Sequence, residues 1–138
     1  MGFLDNFMKK LGASLATRYG KVASGEFENC AVVFGNPPKA KMETAYSYSQ
    51  MVFLKEKEEV ARLNLGSDII DVEYTETIQF PATGMDGYRC KITFGNGETC
   101  EIDLFPSKVR VIYQVLRGIM LEETREFFEK EIAKLPQA

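Results

Sequence analysis

The alternation of apolar and polar positions is clearest between Gly87 and Gly118, where a period of two gives way to a period near 3.6. Two short β-rich runs flank Phe94-Gly95-Asn96-Gly97-Glu98, and asparagine between glycines at such a place predicts a hairpin. Each possible loop length fixes which side chains share a face. A two-residue Asn96-Gly97 loop would set Ile92 opposite Glu101 and Cys90 opposite Asp103, mixing apolar with charged. A three-residue Gly95-Asn96-Gly97 loop sets Tyr88, Cys90 and Ile92 opposite Leu104, Ile102 and Cys100, and leaves Arg89, Lys91 and Thr93 to share the other face with Thr99, Glu101 and Asp103. The second register is predicted, with Gly97 left-handed after a type I turn. Beyond Phe105-Pro106, the stripe Val109, Ile112, Tyr113, Leu116 and Ile119/Met120 predicts a helix with Ser107 as its N-cap.

The same reading extends along the chain. Phe3, Leu4, Phe7, Met8, Leu11 and Leu15 recur at helical spacing and predict an amphipathic helix over 3–18, stopped at Tyr19-Gly20. Phe27–Phe34 predicts a strand, ended by Gly35-Asn36-Pro37-Pro38. Met42–Lys55 predicts one bent strand or two, and Lys55–Glu59 a solvated turn. Val60–Leu65 alternates, with Ala61, Leu63 and Leu65 on one side. Ile70–Phe80 alternates most cleanly, its even positions apolar except Glu76. Either that carboxylate is buried or the strand bulges near Thr75 and its parity resets, and the bulge is the preferred reading. The terminal helix is expected to run over 107–134, with Gly118 as a point where it kinks or breaks. Its charged second half keeps Phe127, Phe128, Ile132 and Leu135 as a narrow strip for the N-terminal helix or another chain. No repeat or low-complexity segment is present.

At 138 residues the chain is one domain, 1–138, large enough for a core without staples. A hydrophobic fraction of 45% with 27% charged residues suits a soluble protein, and a net charge of −3 argues against nucleic acid as partner. Cys30, Cys90 and Cys100 cannot all pair within the chain, so buried free thiols and a cytoplasmic location are expected. No stretch approaches the roughly 20 apolar residues of a spanning helix. Asp5, Lys9 and Lys10 interrupt any secretory signal, and Asn6 stands where an acylation motif after Met1-Gly2 wants Ser or Thr.

Catalytic chemistry finds little support. The chain has no histidine, which removes the commonest general base and the commonest zinc ligand together. No Cys-x-x-Cys, phosphate-binding glycine loop or Gly-x-Ser-x-Gly elbow occurs. Glu76 is the one carboxylate in a suggestive place, because an acid on a core-facing position would hold its proton unusually tightly. A small hydrolase or lyase centred on Glu76 is therefore kept as a remote alternative. No enzyme activity, cofactor or metal is otherwise expected.

The order of elements, a helix, about seven strands in meander and a helix directly after the last strand, resembles the pleckstrin-homology-like (PH-like) superfold, including its bacterial and GRAM-type versions. The resemblance covers Phe27–Leu116 and rests on Ile69-Ile70-Asp71-Val72, the hairpin Cys90–Glu98 and the closing segment Ser107–Leu116. It implies an α+β fold: a partly open antiparallel β-barrel over 27–105, with a C-terminal helix capping one open end. It also implies ligands among the loops after the first, third and sixth strands, here assigned to Gly35–Lys41, Lys55–Glu59 and Gly95–Gly97. Lys39 and Lys41 supply half of a basic pattern for inositol phosphates, but Met42, Glu43 and Thr44 follow in place of another cation. The expectation is a non-enzymatic interaction or scaffold domain that meets a protein partner or its own copy. The alternative is a peripheral adaptor that lays Phe3, Leu4, Phe7, Met8 and Leu11 on an anionic membrane with Lys9 and Lys10. Phe127 and Phe128 are the C-terminal candidates for partner contact.

Overall fold

The computed structural model describes residues 17–35 and 48–136. Within them the chain forms a seven-stranded antiparallel sheet and a C-terminal helical segment. The strands are β1 (Gly20–Val22), β2 (Ala31–Gly35), β3 (Gln50–Lys55), β4 (Glu58–Asn64), β5 (Ile69–Gln79), β6 (Asp86–Phe94) and β7 (Thr99–Leu104). The helices are α1 (Val109–Leu116) and α2 (Glu122–Ala133).

The β6–β7 hairpin has the predicted register. Tyr88 pairs with Leu104, Cys90 with Ile102 and Ile92 with Cys100, while Arg89, Lys91 and Thr93 meet Asp103, Glu101 and Thr99. Gly97 has φ +91°, its N–H donates to Phe94 O at 2.9 Å, and Phe94 N donates to Glu98 O at 2.8 Å. The bulge in β5 is also where the broken parity puts it. Its register shifts between Tyr74 and Glu76, so Glu76 sits opposite Arg89 on the outer face. A second shift, between Ile69 and Asp71, turns Ile69 into the core and leaves Ile70 exposed.

The N-terminal half departs from expectation. Tyr19-Gly20 does not end a helix: Thr17–Tyr19 are irregular and Gly20–Val22 is a strand inserted between β2 and β7. Gly20 is there for close approach, since a Cβ at that position would clash with the carbonyl oxygen of Asp103. Phe27 does not start a strand either; Phe27–Asn29 form a turn in which Asn29 has φ +72°. The sheet therefore begins at residue 20. The charged turn after β3 is only Glu56-Lys57, both at positive φ, and Glu58 and Glu59 already belong to β4. The rest of the helix expected over 3–18, and the first part of the strand expected over 42–55, lie outside the described residues.

Strand order is β4-β3-β2-β1-β7-β6-β5, so the two edge strands are consecutive in sequence. Four residues, Leu65–Asp68, join them, and Leu65 bridges Ile69. A turn that short brings the two edges together at one corner of an open, rolled sheet. Inward side chains of every strand but β4, among them Val22, Phe53, Val72, Ile92 and Ile102, share one buried cluster with Val109, Ile112 and Leu116 of α1 and Phe128 of α2. A second, smaller cluster of Ala31, Val33, Val52 and Leu54 lies on the other face of β2 and β3.

The terminal helix expected over 107–134 is two helices. Pro106 opens a 3-10 turn with Phe105, not Ser107, in the capping position, and the first helix ends at Leu116. A 3-10 turn over Arg117–Ile119 follows, and Met120 and Leu121 are extended. The break has a backbone cause. Met120 bridges Val72 in parallel, Leu121 N donates to Val72 O at 3.2 Å, and Tyr74 N donates to Thr124 Oγ1 at 2.9 Å. Extended residues here satisfy the outer edge of β5, which a continuous helix could not do.

Candidate functional site

The seam between β5 and the start of α2 holds a shallow cleft of about 580 Å³, lined by Glu73, Tyr74, Leu121, Glu122, Glu123 and Thr124. The two sides come from distant parts of the chain, held by the Thr124–Tyr74 bond. Leu121 is 41% exposed, an apolar side chain offered to solvent beside three carboxylates. Glu73 has a cationic neighbour in Lys91, 3.4 Å away. Beneath the seam the Tyr74 ring stacks on Phe127 at a centroid distance of 3.7 Å, and Tyr88 meets Phe127 and Phe128 edge-on. The Tyr88 hydroxyl donates to Glu131 at 3.2 Å. Burial, with Glu131 beside it, pushes the Tyr88 phenol up to about 12. Such a floor is rigid and proton-tight, and the cleft above it can take a cationic or apolar group.

Phe127 and Phe128, expected as partner contacts, are used within the chain. Phe128 is fully buried and Phe127 covers Tyr74. Their narrow strip packs on Tyr74 of β5 and Tyr88 of β6. Phe3, Leu4, Phe7, Met8 and Leu11, like Lys39 and Lys41, lie outside the described residues.

Moving the first strand to Gly20–Val22 reassigns the loops. The turns after β1, β3 and β6 lie at one end of the sheet, and Leu65–Asp68 runs from the other end, where Leu65 N donates to Ser49 O at 2.9 Å, to the β6 turn, where Gly95 N donates to Asp68 O at 2.9 Å. The strand ends Gly35 and Gln50 are at the other end. Along the turns after β1, β3 and β6 stand Glu26, Glu28, Glu56 and Glu98, with Lys57 and, at the end of β3, Lys55. Acidic side chains outnumber basic ones at their end of the sheet.

Groups with catalytic potential are placed unfavourably. The Glu76 side chain is 61% exposed and lies 3.6 Å from Arg89 in an outer-face ladder, which removes the premise of a core-facing acid. Arg89 is held in a two-pronged pair with Asp103, at 2.8 and 3.0 Å. Cys30, Cys90 and Cys100 are free and buried. Burial drives the Cys90 thiol up to about 12 and Cys100 up to about 11, with Asp103 and Glu101 adding to the respective effects, and it raises Cys30 also. A thiol so placed stays protonated and unreactive at neutral pH. Among the described residues no group of three or more Asp, Glu, Cys or His side chains could hold a metal ion, and no helix is long and apolar enough to cross a membrane.

Sequence reasoning missed Leu121 and Thr124 because both read as interior positions of one long helix. The available signal was Gly118, followed by three residues, Ile119–Leu121, that continue no polar face. Comparison of the chain with protein-family models, with curated proteins and with solved structures finds no significant match.

Proposed function

We propose that this chain is a non-enzymatic interaction domain of PH-like architecture that meets a protein partner through the seam between β5 and α2. Support for the architecture comes from the strand order, the four-residue turn joining the two edges, and the helix after β7 whose Ile112 and Leu116 are fully buried against the sheet. One observation carries the functional reading: the cleft combines exposed Leu121 with Glu73, Glu122 and Glu123, a surface suited to a basic and apolar segment of another protein. The acidic turns at the end of the sheet argue against an anionic headgroup there.

The test is affinity capture from cells with the wild-type chain and a Leu121→Asp/Glu122→Lys/Glu123→Lys variant, run beside sedimentation velocity and vesicle pelleting. A partner retained by wild type and lost by the folded variant supports the seam. A concentration-dependent dimer lost in the same variant makes the partner a second copy. Salt-sensitive pelleting with phosphatidylserine vesicles, abolished by Lys9→Glu/Lys10→Glu but not by the seam variant, assigns the domain to membranes and removes the proposal.

A further inference from the structure

The second apolar cluster raises a separate question, because the outward side chains of the sheet are otherwise mostly polar or charged. In β4 the outward Glu59 and Arg62 are exposed, and in β6 so is Lys91. On β2 and β3, however, Ala31, Val33, Val52 and Leu54 point to this same outer face and retain between 2% and 9% of their surface. Their polar neighbours account for only part of that. Arg62, hydrogen-bonded to Glu59 and Gln50, reaches across β3 to Gly35 and covers the Val52 end of the patch, but this network leaves Ala31 and Leu54 to another cover. Lys21, the outward residue of β1, is exposed. Both described helices share the inner cluster, on the opposite side of the sheet. Something else covers the rest of the patch.

We infer that the N-terminal segment 3–15 covers this face, laying its apolar stripe across β2 and β3. Three observations favour this occupant. Tyr19 N donates to Val32 O at 2.8 Å and Gly20 pairs with Val32, so the antiparallel register aims the preceding chain toward the Gly35 end of β2, one strand away from Val33 and two from Val52. The lengths are compatible: the patch runs three residues along β2, about 10 Å, and 13 residues of helix span about 20 Å, so about two of its turns can lie on the patch. Finally, the stripe Phe3, Leu4, Phe7, Met8, Leu11 and Leu15 has the large apolar side chains that a flat Ala/Val/Leu patch needs as a partner, whereas residues 36–47 offer Met42 and Tyr46 among Lys39, Lys41 and Glu43. Lys9 and Lys10 fall off the stripe and remain toward water. The inference stands independently of the seam. If it holds, the amphipathic stripe serves as part of the fold and is not a free membrane anchor.

Photocrosslinking in the full chain tests it. Phe7 is replaced by benzoylphenylalanine, an aromatic of the same attachment that inserts into C–H bonds within a few ångströms, and irradiated protein is separated by mass before peptide mapping. The expected result is an adduct of monomer mass joining position 7 to residues 31–35 or 50–54. An adduct found only at dimer mass makes a second copy the occupant and overturns the inference, as does a monomer adduct on any other segment. Should the probe at Phe7 disturb folding, judged by near-ultraviolet circular dichroism, the probe at Phe3 takes its place. Absence of an intramolecular adduct to β2 or β3 from a folded variant also overturns the inference.

Discussion

The two halves of the sheet solve the same problem differently. In β5–β7 one face is apolar and the other carries charged pairs, Glu76 and Asp103 on Arg89 and Glu73 on Lys91, so each strand alternates with a period of two. In β2 and β3 both faces are buried, and the runs Ala31-Val32-Val33-Phe34 and Met51-Val52-Phe53-Leu54 do not alternate. An antiparallel strand that loses its alternation is one covered on both sides. The contrast identifies where the fold depends on a cover beyond the sheet, and it can be attacked from either half.

The largest effect is expected in the half whose cover is plainly seen. Phe128 is fully buried against Tyr88, and Phe128→Ala should cost about 3–5 kcal/mol in urea unfolding. Leu54 is the matching probe on the other half. If its face is sealed like a core, Leu54→Ala costs about 2–3 kcal/mol, the lower end of the range for buried leucine because polar side chains rim the site. A cost of only a few tenths would mean that the patch is wet in solution, and the two halves would then differ in more than their pattern.

The halves also differ in how much could be read beforehand. The β6–β7 register and the bulge near Thr75 were legible because long strands with one wet face leave only one pairing that keeps charge out of the core. Gly20–Val22 was not legible: three residues are too few to display a period, and Tyr19-Gly20 after an amphipathic run has the look of a helix stop. The break before α2 was half legible: Gly118 marked the place where the helix gives way, but the extended path beyond it was not. Met120 and Leu121 leave the helix to satisfy the edge of β5, a tertiary demand with no local signature. The seam cleft depends on that break, so the candidate site was hidden by the same omission, while the fate of Phe127 and Phe128 followed from which strands lay beneath them.

Alkali should act most strongly on the β5–β7 half. Cys90, Cys100 and Tyr88 all lie in β6 and β7, and burial raises each above its ordinary value, to about 12, 11 and 12. The folded state thus prefers the protonated form. Its contribution is fully present below about pH 8, under the ordinary thiol value of about 8.5, where the unfolded thiols are still largely protonated. It is lost as pH rises toward 11 and 12, because the unfolded chain then binds fewer protons. Urea midpoints measured from pH 8 to 10.5 should fall with a slope of at most about 1.4 kcal/mol per pH unit for each ionising group. Cys90→Ala should flatten that slope, and an unchanged slope would show that the thiol is not sealed as the sheet requires.

The smallest effect concerns the two edges. On β4 the edge is guarded by a register shift between Phe53 and Leu54, which leaves Val60 as the extra residue, and by the charges of Glu58, Glu59 and Arg62. On β5 it is covered by the chain itself, and Thr124 supplies the acceptor for Tyr74 N. Thr124→Val keeps the shape and removes that acceptor. A fully buried orphan N–H would cost about 1–3 kcal/mol, but Tyr74 borders the open cleft, where water can replace the hydroxyl, so about 1 kcal/mol is expected. Hydrogen exchange gives the sharper reading: the Tyr74 amide should exchange faster in Thr124→Val and recover in Thr124→Ser, with the Ile92 amide unchanged in both. Faster exchange at Ile92 as well would mean that the seam is part of the cooperative core, and that the β5 edge is held globally where the β4 edge is held only by its own residues.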